Sequence, residues 1–181
     1  NFSPSYPGAV SLFVNDTTSI SKYKKNIKIY GNTKFKNTFK LQYINIPLIK
    51  NVFKSQSKTY VTEFIKLEKK NNSDLIEVHN RPIYLKYLKE NLDKRTYVLY
   101  FHNDPLTMTG SKSVTDRKFL LKTCFKIVFN SNWSKKRFVE GMDNKYINSE
   151  KLIVVFQSAK ISSIDIKNKK KWITFVGKLN K

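Results

Sequence analysis

Segments of helical periodicity alternate with short apolar segments along this chain, and this alternation constrains its fold more than any other feature. The pattern is typical of an α/β domain with a parallel sheet, because two parallel strands need a crossover that is usually a helix. A length of 181 residues fits one such domain and is short for two. The sequence therefore predicts an α/β fold built on one parallel sheet with helices on both faces.

The spacing of apolar residues places the individual elements. In the first helix, Val10, Phe13, Val14 and Thr17 recur at intervals of three and four residues. Helices are predicted over residues 9–24, 58–70 and 131–141. Two further helices are predicted from one end only: one begins at about residue 82 and the other ends at about residue 124. Strands are predicted over residues 27–30, 41–46, 74–78, 97–101, 125–129, 152–156 and 172–176.

The two ends of the chain suggest a domain organisation. Residues 1–160 form the predicted main domain, the polar, lysine-rich residues 161–171 form a linker, and residues 172–181 begin a second unit. The chain enters its first helix from a loop, although a unit of this kind normally starts with a strand. We therefore expect a further strand before Asn1, and the continuation of the second unit after Lys181.

Charge and cysteine content limit the class of protein. The formal net charge is +22, but only four of the 35 basic residues are arginines, and the lysines are spread over the whole length. Nucleic-acid readers rely on arginine, whose planar fork lysine lacks, so a nucleic-acid partner is disfavoured. A cationic surface of this kind also attracts anionic lipid headgroups. The single cysteine, Cys124, permits no intrachain disulfide and indicates a cytoplasmic protein. The cationic charge adds the alternative that the protein is peripheral at the inner face of the plasma membrane.

Polar residues follow several of the predicted strands, where an open parallel sheet binds its ligands. The candidate cleft residues are His79, Asn80, His102, Asn103, Asp104, Asn130 and Ser131. A histidine at such a place can donate a hydrogen bond or polarise a hydroxyl, and three polar strand ends on one edge outline a cleft. Turn chemistry is the alternative, since Asp104 precedes a proline and Ser131 is a helix cap.

Gly8 and Ala9 open the first helix, where free backbone N–H groups and the helix dipole would suit a diphosphate. A glycine before a helix can equally be a plain turn residue. Other motif classes are missing from the sequence: it has no phosphate-loop pattern, no GxGxxG and no nucleophile elbow. With two histidines and one cysteine, we expect no metal and no cofactor.

Taken in order, these segments resemble the family 4 glycosyltransferases. Residues 2–9 (FSPSYPGA) are similar to the loop after the first strand of that family, although many members have Gly-Gly where this chain has Pro7-Gly8. The resemblance continues through residues 74–80 (DLIEVHN), 101–104 (FHND), 127–134 (IVFNSNWS) and 172–179 (WITFVGKL). It therefore spans almost the whole chain, and its specificity lies in the order and spacing of the segments.

The resemblance implies the architecture of two Rossmann-like domains called GT-B, of which this chain supplies nearly all of the N-terminal, acceptor-binding domain. It implies retaining transfer of a sugar, without a metal, from a nucleotide diphosphate sugar to a glycan or lipid-linked acceptor in the synthesis of cell-surface polysaccharide or lipopolysaccharide. His102 would contact the donor sugar, and Gly8 and Ala9 would face the diphosphate. Lys178 would stabilise the leaving diphosphate, and with His102 it is the expected catalytic residue. Without the second domain, the chain by itself is expected to be inactive.

Two alternatives from other classes remain open at the level of sequence. The charge of +22 and the 13 phenylalanines and ten tyrosines also suit a basic module that binds nucleic acid or an anionic membrane without catalysis. A non-catalytic scaffold that keeps only this domain is the second alternative.

Overall fold

A computed structural model describes residues 1–48 and 55–157 of the chain. The helices are α1 Ala9–Ile20, α2 Gln56–Asn71, α3 Tyr84–Asn91, α4 Val114–Thr123, α5 Asn132–Val139 and α6 Asn144–Ile147. The strands are β1 Ile29–Gly31, β2 Tyr43–Asn45, β3 Leu75–His79, β4 Thr96–Phe101, β5 Lys126–Phe129 and β6 Leu152–Val154. Short 3₁₀ turns span Lys24–Asn26 and Pro105–Thr107.

The main sheet confirms the predicted α/β class. Its four strands run parallel in the order β3-β4-β5-β6, and β1 and β2 form a separate parallel pair. The sequence predicted one sheet, whereas the described strands divide between two that are not hydrogen-bonded to each other. Helix α2 joins them, since Phe64 packs edge-on against Tyr30 at 5.0 Å and Asn71 donates a hydrogen bond to the Tyr30 hydroxyl. The expected strand before Asn1 stays a prediction.

The two faces of the main sheet differ in how they are covered. On one face, Ile76, Val78, Leu99, Phe101 and Ile127 are buried under helices α2 to α5 and form the core. On the other face Phe13 of α1 packs near Tyr100, with 6.0 Å between the ring centroids. Strand β4 is buried on both faces over residues 97–99, as expected for an inner strand of a parallel sheet.

Local sequence explains where the helices begin and end. Ser55, Ser113 and Ser131 each accept a hydrogen bond from the backbone N–H three residues later, which satisfies one of the free donors at a helix start. Helix α1 ends at Ile20 rather than at the predicted residue 24. The Thr17 hydroxyl donates back to the carbonyl of Phe13, a competing bond that weakens helices, and Ser21 is already extended.

The remaining differences from the predicted elements concern their ends and their exposed residues. Phe125, the first residue of the predicted strand 125–129, lies outside β5 and is 60% exposed, and Trp133 on α5 is 59% exposed. The short helix α6 was not predicted. The linker 161–171, the predicted strand 172–176 and the rest of 172–181 lie outside the described residues.

Candidate functional site

The two histidines of the chain meet at the carboxyl ends of β3 and β4. His79 is the last residue of β3, and His102 follows the last residue of β4. The Nδ1 atom of His79 lies 3.0 Å from the Nε2 atom of His102, and the two rings stack at 5.3 Å with an angle of 22° between their planes. The parallel register of β3 and β4 brings them together, as the sequence predicted from their positions after neighbouring strands. We call the carboxyl ends of β3, β4, β5 and β6 the carboxyl edge.

Two asparagines hold the backbone of His102 from both sides. The Asn80 side-chain oxygen accepts a hydrogen bond of 2.7 Å from the His102 N–H, and Asn130 donates one of 2.8 Å to the His102 carbonyl. Ser134 donates in turn to the Asn130 side-chain oxygen at 3.0 Å. Asn80 adopts φ +52°, a left-handed conformation that asparagine tolerates better than most residues. Asn80 and Asn130, which were predicted as cleft residues, therefore fix the position of His102, and Ser134 supports Asn130.

Aromatic rings enclose the two imidazoles. Phe13 of α1 meets the His102 ring edge-on at 4.9 Å, and Tyr100 stacks on His79 at 4.6 Å. A small cavity of about 10 Å³ lies beside His102 and is lined also by Asn130, Val155 and Gln157. This space holds about one water molecule, so a larger ligand would have to lie across the edge rather than inside it.

The surroundings of His102 keep its imidazole neutral. Burial, and secondly the neighbouring His79, lower the pKa of His102 from 6.5 to about 4. Both causes act in the same direction, because burial disfavours a charged ring and a second imidazole disfavours a further proton beside it. Near neutral pH the ring can therefore donate one hydrogen bond and accept one, and it carries no charge.

Glu77 is a member of the site that the sequence pattern did not predict. Its carboxylate lies 3.6 Å from the Nε2 atom of His79 and accepts a hydrogen bond of 3.3 Å from the Tyr100 hydroxyl. Burial, and then this carboxylate, raise the pKa of Tyr100 to about 12. The available signal was the strand period of two, which puts Glu77 and His79 on the same face of β3.

Gln157 was missed as well. Its side-chain amide lies 3.1 Å from the Nδ1 atom of His102, three residues after the end of β6. It falls one residue beyond the predicted strand 152–156, and nothing in the local sequence pattern distinguishes it from other polar residues that follow a strand.

Gly8 and Ala9 stand at the start of α1, as predicted. Gly8 is the extended residue that precedes the helix, with φ −81°, and Ala9 is the exposed first helical residue. Phe13 lies four residues further on and packs on His102, so the first turns of α1 approach the carboxyl edge. The Gly8 N–H points to the Asn1 carbonyl at 3.4 Å.

The other candidates divide between structural contacts and open surface. The Asp104 carboxylate accepts a hydrogen bond from the Leu106 N–H and lies 3.3 Å from the Arg137 guanidinium, and Ser131 caps α5. Asp104 and Ser131 therefore make the turn and helix-cap contacts that the alternative interpretation of these residues predicts. Asn103 is exposed beside His102. Lys178 lies outside the described residues.

Two further properties concern the described part of the chain only. Within residues 1–48 and 55–157, no group of three or more His, Cys, Asp or Glu side chains is arranged to hold a metal ion. No helix in those ranges has both the length and the apolar character needed to cross a membrane.

No family model matches the sequence, and no curated protein matches it either.

Proposed function

We propose that this chain is the N-terminal domain of a retaining glycosyltransferase that transfers a sugar from a nucleotide diphosphate sugar to a glycan or lipid-linked acceptor. The observation that carries the proposal is the position of His102. It stands at the carboxyl end of an inner strand of a parallel sheet, next to the first turns of a helix, and this is where such sheets bind phosphorylated ligands.

The chemistry of the site suits a sugar. A neutral imidazole recognises a hydroxyl through a directed hydrogen bond, and the asparagines on both sides of His102 fix its backbone before a ligand arrives. Preorganisation of this kind lowers the entropic cost of binding. In this proposal His102 contacts the donor sugar, and the start of α1 at Gly8 and Ala9 faces the diphosphate.

The rest of the reaction is assigned to residues beyond the described ranges. Lys178 would stabilise the negative charge that grows on the leaving diphosphate, without a metal ion. A lysine at this place supplies charge but not the bidentate contact of an arginine. The cavity beside His102 is too small for a nucleotide sugar, so the described domain offers one wall of the site.

Nuclear magnetic resonance of the uniformly labelled 181-residue chain tests the proposal. A panel of nucleotide diphosphate sugars is titrated while the backbone amides of Gly8, Ala9 and His102 are followed. We expect weak, saturable shifts at these amides, with a matched exposed position such as Lys112 unaffected. Either tight binding of a nucleotide sugar by this chain alone, or shifts confined to other surfaces, would contradict the proposal.

The net charge of +22 supports a second candidate, a basic module that binds nucleic acid or an anionic membrane. This candidate predicts that ligands bind at positively charged surfaces rather than at the carboxyl edge. It also predicts an affinity that falls by orders of magnitude as the salt concentration rises. The same spectra distinguish the two candidates if a short DNA duplex and anionic vesicles are added as further ligands. The second candidate requires shifts that cluster on lysine-rich surfaces and leave Gly8, Ala9 and His102 unchanged.

A further inference from the structure

Four side chains at the carboxyl edge form one line of contacts. Glu77 lies next to His79, His79 next to His102, and His102 next to Gln157, with heavy-atom distances of 3.6, 3.0 and 3.1 Å. Each imidazole therefore has both of its nitrogens facing a polar neighbour. In the state in which both rings are neutral, each imidazole carries one proton, so each ring donates on one side and accepts on the other.

The Glu77 carboxylate at one end of the line determines which nitrogen of each imidazole donates a hydrogen bond and which accepts one. An ionised carboxylate only accepts, so the His79 nitrogen that faces Glu77, Nε2, is the one that carries the proton. Nδ1 of His79 then accepts from Nε2–H of His102. That leaves Nδ1 of His102 as an acceptor, and the amide nitrogen of Gln157 that lies beside it is a donor. The reverse direction would place the lone pair of His79 Nε2 against the negative charge of Glu77.

Partial burial makes this arrangement of donors and acceptors important for the energy of the site. The His79 side chain is only 16% exposed, so water replaces a lost partner poorly. Glu77 is 47% exposed, but the Tyr100 hydroxyl fixes one of its oxygens and so orients its carboxylate toward the pair. The low pKa of His102 keeps that ring neutral over the range in which the direction applies.

We infer that His102 recognises its ligand as a hydrogen-bond acceptor, through Nδ1, and that Glu77 and His79 are positioning residues that impose this polarity. Gln157 then occupies, in the free protein, the place of a ligand group that donates a hydrogen bond. A hydroxyl is such a group, and a phosphate oxygen or a carbonyl is not. The inference rests on the proposed function for its ligand class, since it deepens the role of His102 toward a sugar hydroxyl.

The inference has a spectroscopic test that needs no ligand. The chain contains only two histidines, so ¹⁵N spectra of an untagged protein labelled in its imidazoles show two ring systems. At a pH where the spectra show both rings to be neutral, we expect His102 to have a protonated Nε2 and an unprotonated Nδ1. A protonated Nδ1 in the wild-type protein at that pH would overturn the inference.

Two substitutions and a control test the source of the polarity. Glu77→Gln replaces an obligatory acceptor with an amide that can also donate, so we expect the proton of His102 to move partly or wholly to Nδ1. Gln157→Ala should change the Nδ1 resonance and leave Nε2 protonated. Glu63→Gln, which alters an exposed carboxylate of α2, should leave both rings unchanged. A His102 ring that keeps its tautomer in Glu77→Gln would show that Glu77 does not set it.

These outcomes are independent of the proposed function. If the tautomer is as expected but no sugar nucleotide perturbs His102, the proposed function fails while the account of the line of contacts stands. If the tautomer is reversed, the inference fails whatever the chain binds.

Discussion

At the scale of single residues, His102 makes the stability of the domain depend on pH. Its pKa is lowered from 6.5 to about 4 in the folded state, chiefly by burial. Between these two values the unfolded chain binds a proton that the folded chain excludes. Stability therefore rises with pH across this window and is lost as pH falls through it. Above about pH 6.5 this residue makes no pH-dependent contribution.

Substitution of His102 by glutamine tests that dependence. The variant cannot titrate, so we expect its free energy of unfolding to fall less between pH 6.5 and 4 than that of the wild type. Urea denaturation of both proteins at several pH values in that interval measures the difference. Carboxylates that titrate in the same range cancel in the comparison. Parallel pH profiles for the two proteins would mean that His102 is protonated as easily in the folded state as in the unfolded chain.

The histidines themselves could be predicted because each follows a recognisable strand. The strand period also relates Glu77 to His79, but it does not reveal that their side chains act together, because that depends on the position of Tyr100 in the neighbouring strand. Gln157 was beyond prediction, since its contact with His102 spans 55 residues of sequence. Contacts of this length depend on the packing of the whole sheet rather than on a local pattern.

At the scale of elements, the continuous apolar runs were the most predictable. Strands β4 and β5 were each predicted within one residue, because strands buried on both faces are nearly unbroken apolar segments in the sequence. The pairing of β1 with β2 in a sheet of their own was not predicted. Periodicity identifies a strand but not its neighbours, since the pairing is decided by tertiary packing.

The loop before α4 depends on a glycine that the sequence analysis did not single out. Gly110 has φ +95°, and a Cβ at this position would lie 2.6 Å from the backbone nitrogen of Ile83, just before α3. Gly110→Ala should therefore destabilise the domain by about 1 to 3 kcal/mol from backbone strain, and further through the clash. Chemical denaturation measures the loss.

Gly8→Ala is the matched control for that substitution. Gly8 has an ordinary φ of −81°, and its added Cβ would come no closer than 3.7 Å to another atom. We expect a change in stability of about 0.5 kcal/mol or less. Equal losses for the two variants would contradict the assignment of strain to Gly110. A Gly8→Ala protein that keeps its stability is also suited to titration with nucleotide sugars, where any change reports on the start of α1.

At the scale of the whole molecule, the chain combines a high positive charge with a carboxyl edge at which several polar side chains converge. The net charge of +22 is distributed along the chain, whereas His79, His102, Asn80 and Asn130 converge at one edge of the main sheet. Charge of this kind attracts anionic partners without distinguishing among them. Recognition of a particular sugar needs directed hydrogen bonds, and the carboxyl edge provides donors and acceptors in fixed positions.

Sugar transfer by the protein encoded in the complete reading frame tests the central proposal most directly. Labelled nucleotide diphosphate sugars are supplied with glycan and lipid-linked acceptors, and the wild type is compared with His102→Ala and with the surface control Lys112→Ala. The account predicts transfer by the wild type and the control, and a loss of about tenfold in turnover for His102→Ala, as expected for one net hydrogen bond. Transfer that is unchanged in His102→Ala, or no transfer from any nucleotide sugar, would contradict it.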